Sequence, residues 1–301
     1  MSFENIIGSV LGKASALIPG AARARCARIF DAGTGLVERI LGVADPLVPP
    51  LRLRLHVGPF LDPRVYKVSA ERNLEALQAL CSLVPTTRFL DIGCGCGRLA
   101  SALVAVIEPP GSYEGFDTAE EPIEWCRRHI GSRFPNFGFR ATDTFSLRYN
   151  PYGASEAEEL TFPYADDYFD IVFAGSVYTH MLPGEVSNFI SESRRVLRPG
   201  GISFATFCLL TDRSLPLVKA GKSSPPLPYV FGDCMVRDPN DPASFIAQPE
   251  GFVRSCFTNS GFQFLGPIRY GSWVGRERLP ELLEPYGFDQ DIIVAQKLDR
   301  I

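Results

Sequence analysis

The stretch FLDIGCGCGRLA at positions 89–100 sets three glycines, Gly93, Gly95 and Gly97, between an apolar run carrying an acid, Asp91, and a segment of helical character. A strand, a glycine turn and a helix start make a seat for a nucleotide-like ligand. Glycines let the ligand approach backbone N–H groups, and a helix start favours negative charge. A second acid, Asp117, lies twenty residues beyond Gly97, where a carboxylate closing the next strand can accept both hydroxyls of a ribose. Further along, SVYTHML carries His180, whose neutral imidazole can take a hydroxyl proton near neutral pH, with Tyr178 two places earlier as a second candidate base.

Two details favour S-adenosylmethionine over a dinucleotide. The dinucleotide fingerprint spaces its glycines GxGxxG so that a pyrophosphate meets the helix, whereas this loop reads GCGCG. Asp91 before it would repel a pyrophosphate and would suit the positively charged amino group of a methionine moiety, directly or through water.

The surrounding text must position these groups. From about residue 68 the chain alternates helix-like and strand-like runs, the signature of a sheet covered by helices on both faces. VSAERNLEALQALCSLV predicts a helix from about Ser69, RFLDIG a buried strand, GRLASALVAVI a helix stopped by Pro109 and Pro110, and GSYEGFD a strand ending on Asp117. EEPIEWCRRHI reads as a helix, NFGFRATD as a strand, and YFDIVFAGSVY as the strongest strand of the chain. PGEVSNFISESRRVL is a helix, and RPGG turns into the strand ISFATFCLL. PEGFVRSCFTNSGF reads as a helix, FQFLGPIRY and DQDIIVAQKL as the last two strands. Residues 210–248, with six prolines and little periodicity, predict an irregular insertion that can act as a lid.

The 301 residues suit one large α/β domain with appendages. With 46% hydrophobic residues and a net charge of -4 there is no basic field to hold nucleic acid. The eight cysteines include no CxxC pair, and His56, His129 and His180 have no partner at metal-ligand spacing, so reduced thiols and no metal are expected. His129 and His56 read as structural. No apolar run spans a bilayer, and Glu4 sits where a secretory signal is basic, so a cytoplasmic location is expected. Residues 1–67 read as a helical N-terminal arm, with 68–301 as the ligand-binding domain. The apolar face Ile6, Ile7, Val10, Leu11, Ala14, Leu17 and Ile18 of the arm suits packing on the core, a second subunit or an anionic membrane surface.

Taken together, these motifs resemble class I S-adenosylmethionine-dependent methyltransferases. LDIGCGCGR looks like their first motif, GFD like the acidic end of their second strand, FDIVFAGSVYTHM like their fourth strand, and RRVLRPGGISFATF like the helix and turn before their fifth. The resemblance covers about residues 68–297. It implies a Rossmann-like, seven-stranded, mostly parallel sheet with an antiparallel last strand, and S-adenosylmethionine as methyl donor with S-adenosylhomocysteine as product. It places Asp91, Gly93 and Gly95, with Cys94, Gly97 and Arg98 around them, at the methionine part of the cofactor. Asp117 and Thr118 fall at the ribose, Asp143 and Thr144 at the adenine, and Ser176 below the sulfonium. His180 and Tyr178 are then the candidate bases. Trp273 and Arg276 in GSWVGRE, and Tyr66 before the first core helix, are expected to line or anchor a small-molecule, sugar or glycan acceptor. Transfer to oxygen is the favoured reading, with nitrogen or carbon acceptors, a non-catalytic binding scaffold and an NAD-dependent oxidoreductase as rivals.

Overall fold

A computed structural model describes residues 20–276 and 289–298. The chain forms two compact units, divided between Ser69 and Ala70. The apolar face expected over residues 6–18 lies outside the described residues.

The first unit holds helices α1 (Gly20–Ile40), α2 (Leu51–His56) and the start of α3 (Pro63–Leu80). Its organiser is a buried cation. Arg54 donates to Glu38 Oε1 at 2.6 Å and to the carbonyls of Pro49, Phe60 and Leu61 at 2.7, 3.1 and 3.1 Å. With its guanidinium paired and hydrogen-bonded, the charge is tolerated without water. Helix α3 begins six residues earlier than its apolar spacing predicts. Pro63 opens it, as proline can where no intrahelical N–H bond is lost, and the Asp62 carboxylate accepts from Arg64 N at 2.8 Å.

The second unit is built on strands β1 (Arg88–Ile92), β2 (Ser112–Asp117), β3 (Phe137–Ala141), β4 (Phe169–Ala174), β5 (Leu197–Phe207), β10 (Phe262–Phe264) and β11 (Asp291–Lys297). Their order across the sheet is β10-β11-β5-β4-β1-β2-β3. All neighbours pair in parallel except β11, which runs antiparallel to both β5 and β10. Strand order reverses between β1 and β4, the switch point at which open α/β sheets bind ligands beyond the carboxyl ends of their strands. The strands read as apolar runs because both faces are covered: Phe89, Leu90 and Ile92 of β1 and Ile171, Val172 and Phe173 of β4 are buried. Helices α4 (Arg98–Leu103), α5 (Glu120–Cys126), α6 (Pro183–Val196) and α8 (Glu250–Asn259) provide the cover.

Residues 210–248 are not irregular, which corrects the expectation. They hold helix α7 (Ser214–Lys219) and strands β7 (Tyr229–Phe231), β8 (Cys234–Val236) and most of β9 (Ile246–Pro249), and with β6 (Leu209–Leu210) they make a second sheet of order β6-β9-β8-β7. Three-residue strands are too short to show alternation, and their core is shared with Trp273 and Val274 from a distant segment.

Candidate active site

The glycine loop leaves β1 at the switch point. Gly93, Gly95 and Gly97 all take positive φ, at 66°, 54° and 75°, a region that only glycine enters without strain. Space is short as well: a Cβ on Gly93 would stand 2.6 Å from Val177 Cγ2, and one on Gly97 2.7 Å from Ile130 Cδ1. Gly93 N and Cys94 N donate to Phe116 O at 2.8 and 3.1 Å, tying the loop to the end of β2. Cys94 is buried beneath the loop, and Arg98, half-buried, opens α4 beside it.

Asp91 is 2% exposed and accepts from the Tyr113 hydroxyl at 2.7 Å. Burial pushes its carboxyl up to about 7, against the opposing pull of the Tyr113 hydrogen bond and the Arg98 charge. An ammonium group placed beside it would draw that value down and hold the carboxylate ionised.

Asp117 ends β2, half-buried. Its Oδ2 accepts from Gly95 N and its Oδ1 from Ala119 N, both at 2.9 Å. A carboxylate there can accept the vicinal hydroxyls of a ribose. Thr118 follows at the half-buried rim. Beyond β3, Asp143 is exposed and holds its own loop, accepting from Ala154 N through Oδ1 at 3.3 Å and from Ser155 N through its carbonyl at 3.0 Å. On either side of it the hydroxyls of Thr142 and Thr144 are buried and have no hydrogen-bond partner.

Ser176, two residues past β4, has φ 61°. A non-glycine residue there stores strain of order 1–3 kcal/mol unless its surroundings fix it, and such residues gather at functional sites. Its N–H donates to Thr206 Oγ1 at 2.8 Å, and the Ser176 and Thr206 hydroxyls both donate to Gln290 Oε1, at 3.3 and 2.6 Å. Next in the chain, His180 holds its ring Nδ1 3.2 Å from the carbonyl of Ala243. A carbonyl only accepts, so Nδ1 carries the proton and Nε2 keeps its lone pair. The ring lies edge-on to Tyr149 and to Phe245, at centroid distances of 6.0 and 5.6 Å. Burial is the main reason its pKa falls to about 4, with Arg148 and Arg237 adding to the shift.

A family model described as "Methyltransferase domain" matches residues 90–205, the segment from β1 to β5 that carries the loop, both strand-end acids and Ser176. Methyltransferase GfsG of Streptomyces halstedii is 29% identical over 150 residues, 49% of this chain and 48% of the relative. The ubiquinone biosynthesis O-methyltransferase of Methylocella silvestris is 30% identical over 145 residues, 48% of this chain and 47% of the relative. Residues 90–205 thus carry a methyltransferase domain. The chain's match spans about half the length of these curated relatives. A solved chain from the complex of the Haloferax volcanii Trm112 methyltransferase activator with a methyltransferase shares the fold: TM-score 0.51 at 14% identity, over 79% of this chain and 93% of that one.

The residues present fit the methyltransferase cofactor. The glycine cradle at Gly93 has no room for a side chain, Asp117 sets a carboxylate against the loop, and the orphaned hydroxyls of Thr142 and Thr144 lie just past β3. Asp91, Asp117, the loop and Ser176 thus gather at the carboxyl ends of β1, β2 and β4.

Four residues expected in the chemistry lie elsewhere. Tyr178 is 1% exposed in the main core, stacked on Phe207 at 4.5 Å, and burial pushes its hydroxyl pKa up. It packs the core rather than accepting protons. Trp273 is 2% exposed and donates from Nε1 to Asp291 Oδ2 at 2.9 Å, so its ring is not open to an acceptor. Arg276 pairs with the same carboxylate at 3.3 Å and lies over the Tyr270 ring. Tyr66 is fully buried in the first unit, edge-on to Phe60. His129 stacks on Trp125 one helical turn earlier. Sequence reasoning missed Tyr113, Thr142, Thr206 and Gln290, which act by spatial approach across strands, and Tyr149, Arg148, Phe245 and Arg237, which sit in loops without periodicity.

Proposed function

We propose that this chain transfers the methyl group of S-adenosylmethionine to an oxygen atom of a small metabolite, sugar or glycan. The observation that carries the reading is the Asp117 carboxylate at the end of β2, hydrogen-bonded to the glycine loop at Gly95, which sets an acid beside the loop where a ribose would lie. When bound, the cofactor supplies a methyl group on a sulfonium, already activated for displacement. The protein's task is then to align the acceptor and keep water out.

Asp91 would face the cofactor's ammonium group, Asp117 its ribose hydroxyls, and Asp143 with Thr142 and Thr144 its adenine. Ser176, fixed by Thr206 and Gln290, would set the floor below the transferred methyl. His180, neutral with its Nδ1 on the Ala243 carbonyl, would stand at the acceptor side between Tyr149 and Phe245. The small second sheet brings Ala243 and Phe245 to His180 and is suited to serve as a lid over the acceptor. Leu36, Val37 and Ile40 of α1 and Leu41 just after it are exposed, which supports an interaction role for the first unit, with a second copy of the chain or a membrane surface. Among the described residues no helix is long and apolar enough to cross a membrane.

The test is transfer of labelled methyl from S-adenosylmethionine to a metabolite extract. Label in extractable products supports the enzyme; binding of the cofactor without any transfer favours a scaffold. Equal binding of a nicotinamide dinucleotide would contradict the cofactor assignment.

A further inference from the structure

The loop after β3 and the second sheet deliver a row of side chains to the acceptor side whose chemistry narrows the substrate. At its centre is His180, walled by Tyr149 and Phe245. At one end the Arg148 guanidinium lies 5.3 Å from the centroid of the Tyr149 ring. At the other, Arg237 donates from Nη2 to Ser244 O at 3.2 Å and from its backbone N to Phe245 O at 3.0 Å. Both arginines are exposed, and both are close enough to act on the His180 ring and on the Tyr149 hydroxyl. The charges of Asp117 and Asp241 act on the same hydroxyl from a distance.

We propose that Arg148 and Arg237 clamp a carboxylate of the acceptor between aromatic walls, and that an oxygen of this carboxylate is itself the methyl acceptor. Planar guanidinium forks match a carboxylate in geometry and charge. An oxygen lone pair of the carboxylate forms the new O–CH3 bond as the C–S bond breaks. The acceptor's negative charge is discharged in the methyl ester, the sulfonium becomes a neutral thioether, and no proton is taken up or released. No general base is needed. This agrees with a site whose one imidazole is a poor base, since burial and the two guanidiniums hold its pKa at about 4. An alcohol acceptor would require the opposite environment.

The inference rests on the methyltransferase reading above, and its test separates the two. Octanoate and benzoate, octan-1-ol and octyl phosphate are offered with labelled S-adenosylmethionine, and product label is assayed for release as methanol in base, which frees methyl esters and spares methyl ethers. In parallel, wild type, Arg148→Gln and Arg237→Gln are titrated with octanoate, with and without S-adenosylhomocysteine. The expected result is base-labile label from the acids alone, octanoate binding that weakens about tenfold in each variant, and S-adenosylhomocysteine binding unchanged in both. Base-stable label from the alcohol, preference for the phosphate, acids that neither bind nor accept methyl, or variants that bind octanoate like wild type would each overturn it. Failure of the wild type to bind S-adenosylhomocysteine would strike the methyltransferase reading instead, and the titration without cofactor would still decide the clamp.

Discussion

Asp117 fixes both the glycine loop and the turn after β2, accepting from Gly95 N and Ala119 N. Asp117→Ala is expected to weaken S-adenosylhomocysteine binding by roughly 1.5–3 kcal/mol, the range for hydrogen bonds to a charged group; calorimetry showing unchanged affinity would mean that the ribose is held elsewhere. Asp91 and His180 make opposite contributions to stability across pH. The carboxyl of Asp91, raised to about 7 by burial, binds a proton in the folded state that the unfolded chain has released. Its contribution therefore favours folding below that pH and fades as pH rises toward 7. His180, lowered to about 4, stays neutral while its unfolded counterpart charges below about 6.5, so its contribution is lost as pH falls from there toward 4. Asp91→Asn is expected to raise the melting temperature relative to wild type at about pH 8 and to change it little at about pH 5. Thermal unfolding at both values checks this, and an equal shift at both would contradict a buried ionisation. For the same reason His180 is expected to add no inflection to kcat/KM near the ordinary histidine value of about 6.5; because the Asp91 carboxyl lies at about 7, the profile is read in Asp91→Asn, where a step that remains would mean that His180 titrates freely.

At the scale of elements, the sheet was legible and its additions were not. Strand β1, the loop, and the acid closing β2 are contiguous text, and their chemistry follows from residue type and spacing. RRVLRPGG announces a helix and turn for similar reasons, since Gly200 takes φ 74° where the chain swings toward the inner half of β5. What could not be read was assembled through space. Trp273 and Arg276 look like an exposed acceptor site in sequence, yet both converge on Asp291, a carboxylate that also accepts from Leu209 N at 2.8 Å and Gly271 N at 2.7 Å. Nothing local to any of these segments announces a buried acid at the start of β11. Because Asp291 links β5's exit, β11 and the 271–276 turn, Asp291→Ala is expected to destabilise the fold by roughly 3–5 kcal/mol, the cost of unpairing buried charged partners. Chemical denaturation measures it, and a loss below about 1 kcal/mol would mean that the carboxylate is dispensable. Gly93→Ala tests the loop in the same way. A Cβ there meets Val177 and a positive φ together, so cofactor affinity should fall by about tenfold or more while the fold survives.

Over the whole molecule, the seven-stranded sheet sets the glycine loop and its acids at the switch point, and a second, smaller sheet stands beside it. The loop after β3 and the second sheet meet at His180, whose ring is edge-on to Tyr149 from the one and to Phe245 from the other. The measurement that tests the central claim most directly is calorimetric titration of the purified protein with S-adenosylmethionine and, in parallel, with S-adenosylhomocysteine. The account predicts binding of both with dissociation constants on the order of micromolar, about 8 kcal/mol, and a large loss in Asp117→Ala. A folded protein that binds neither would contradict it.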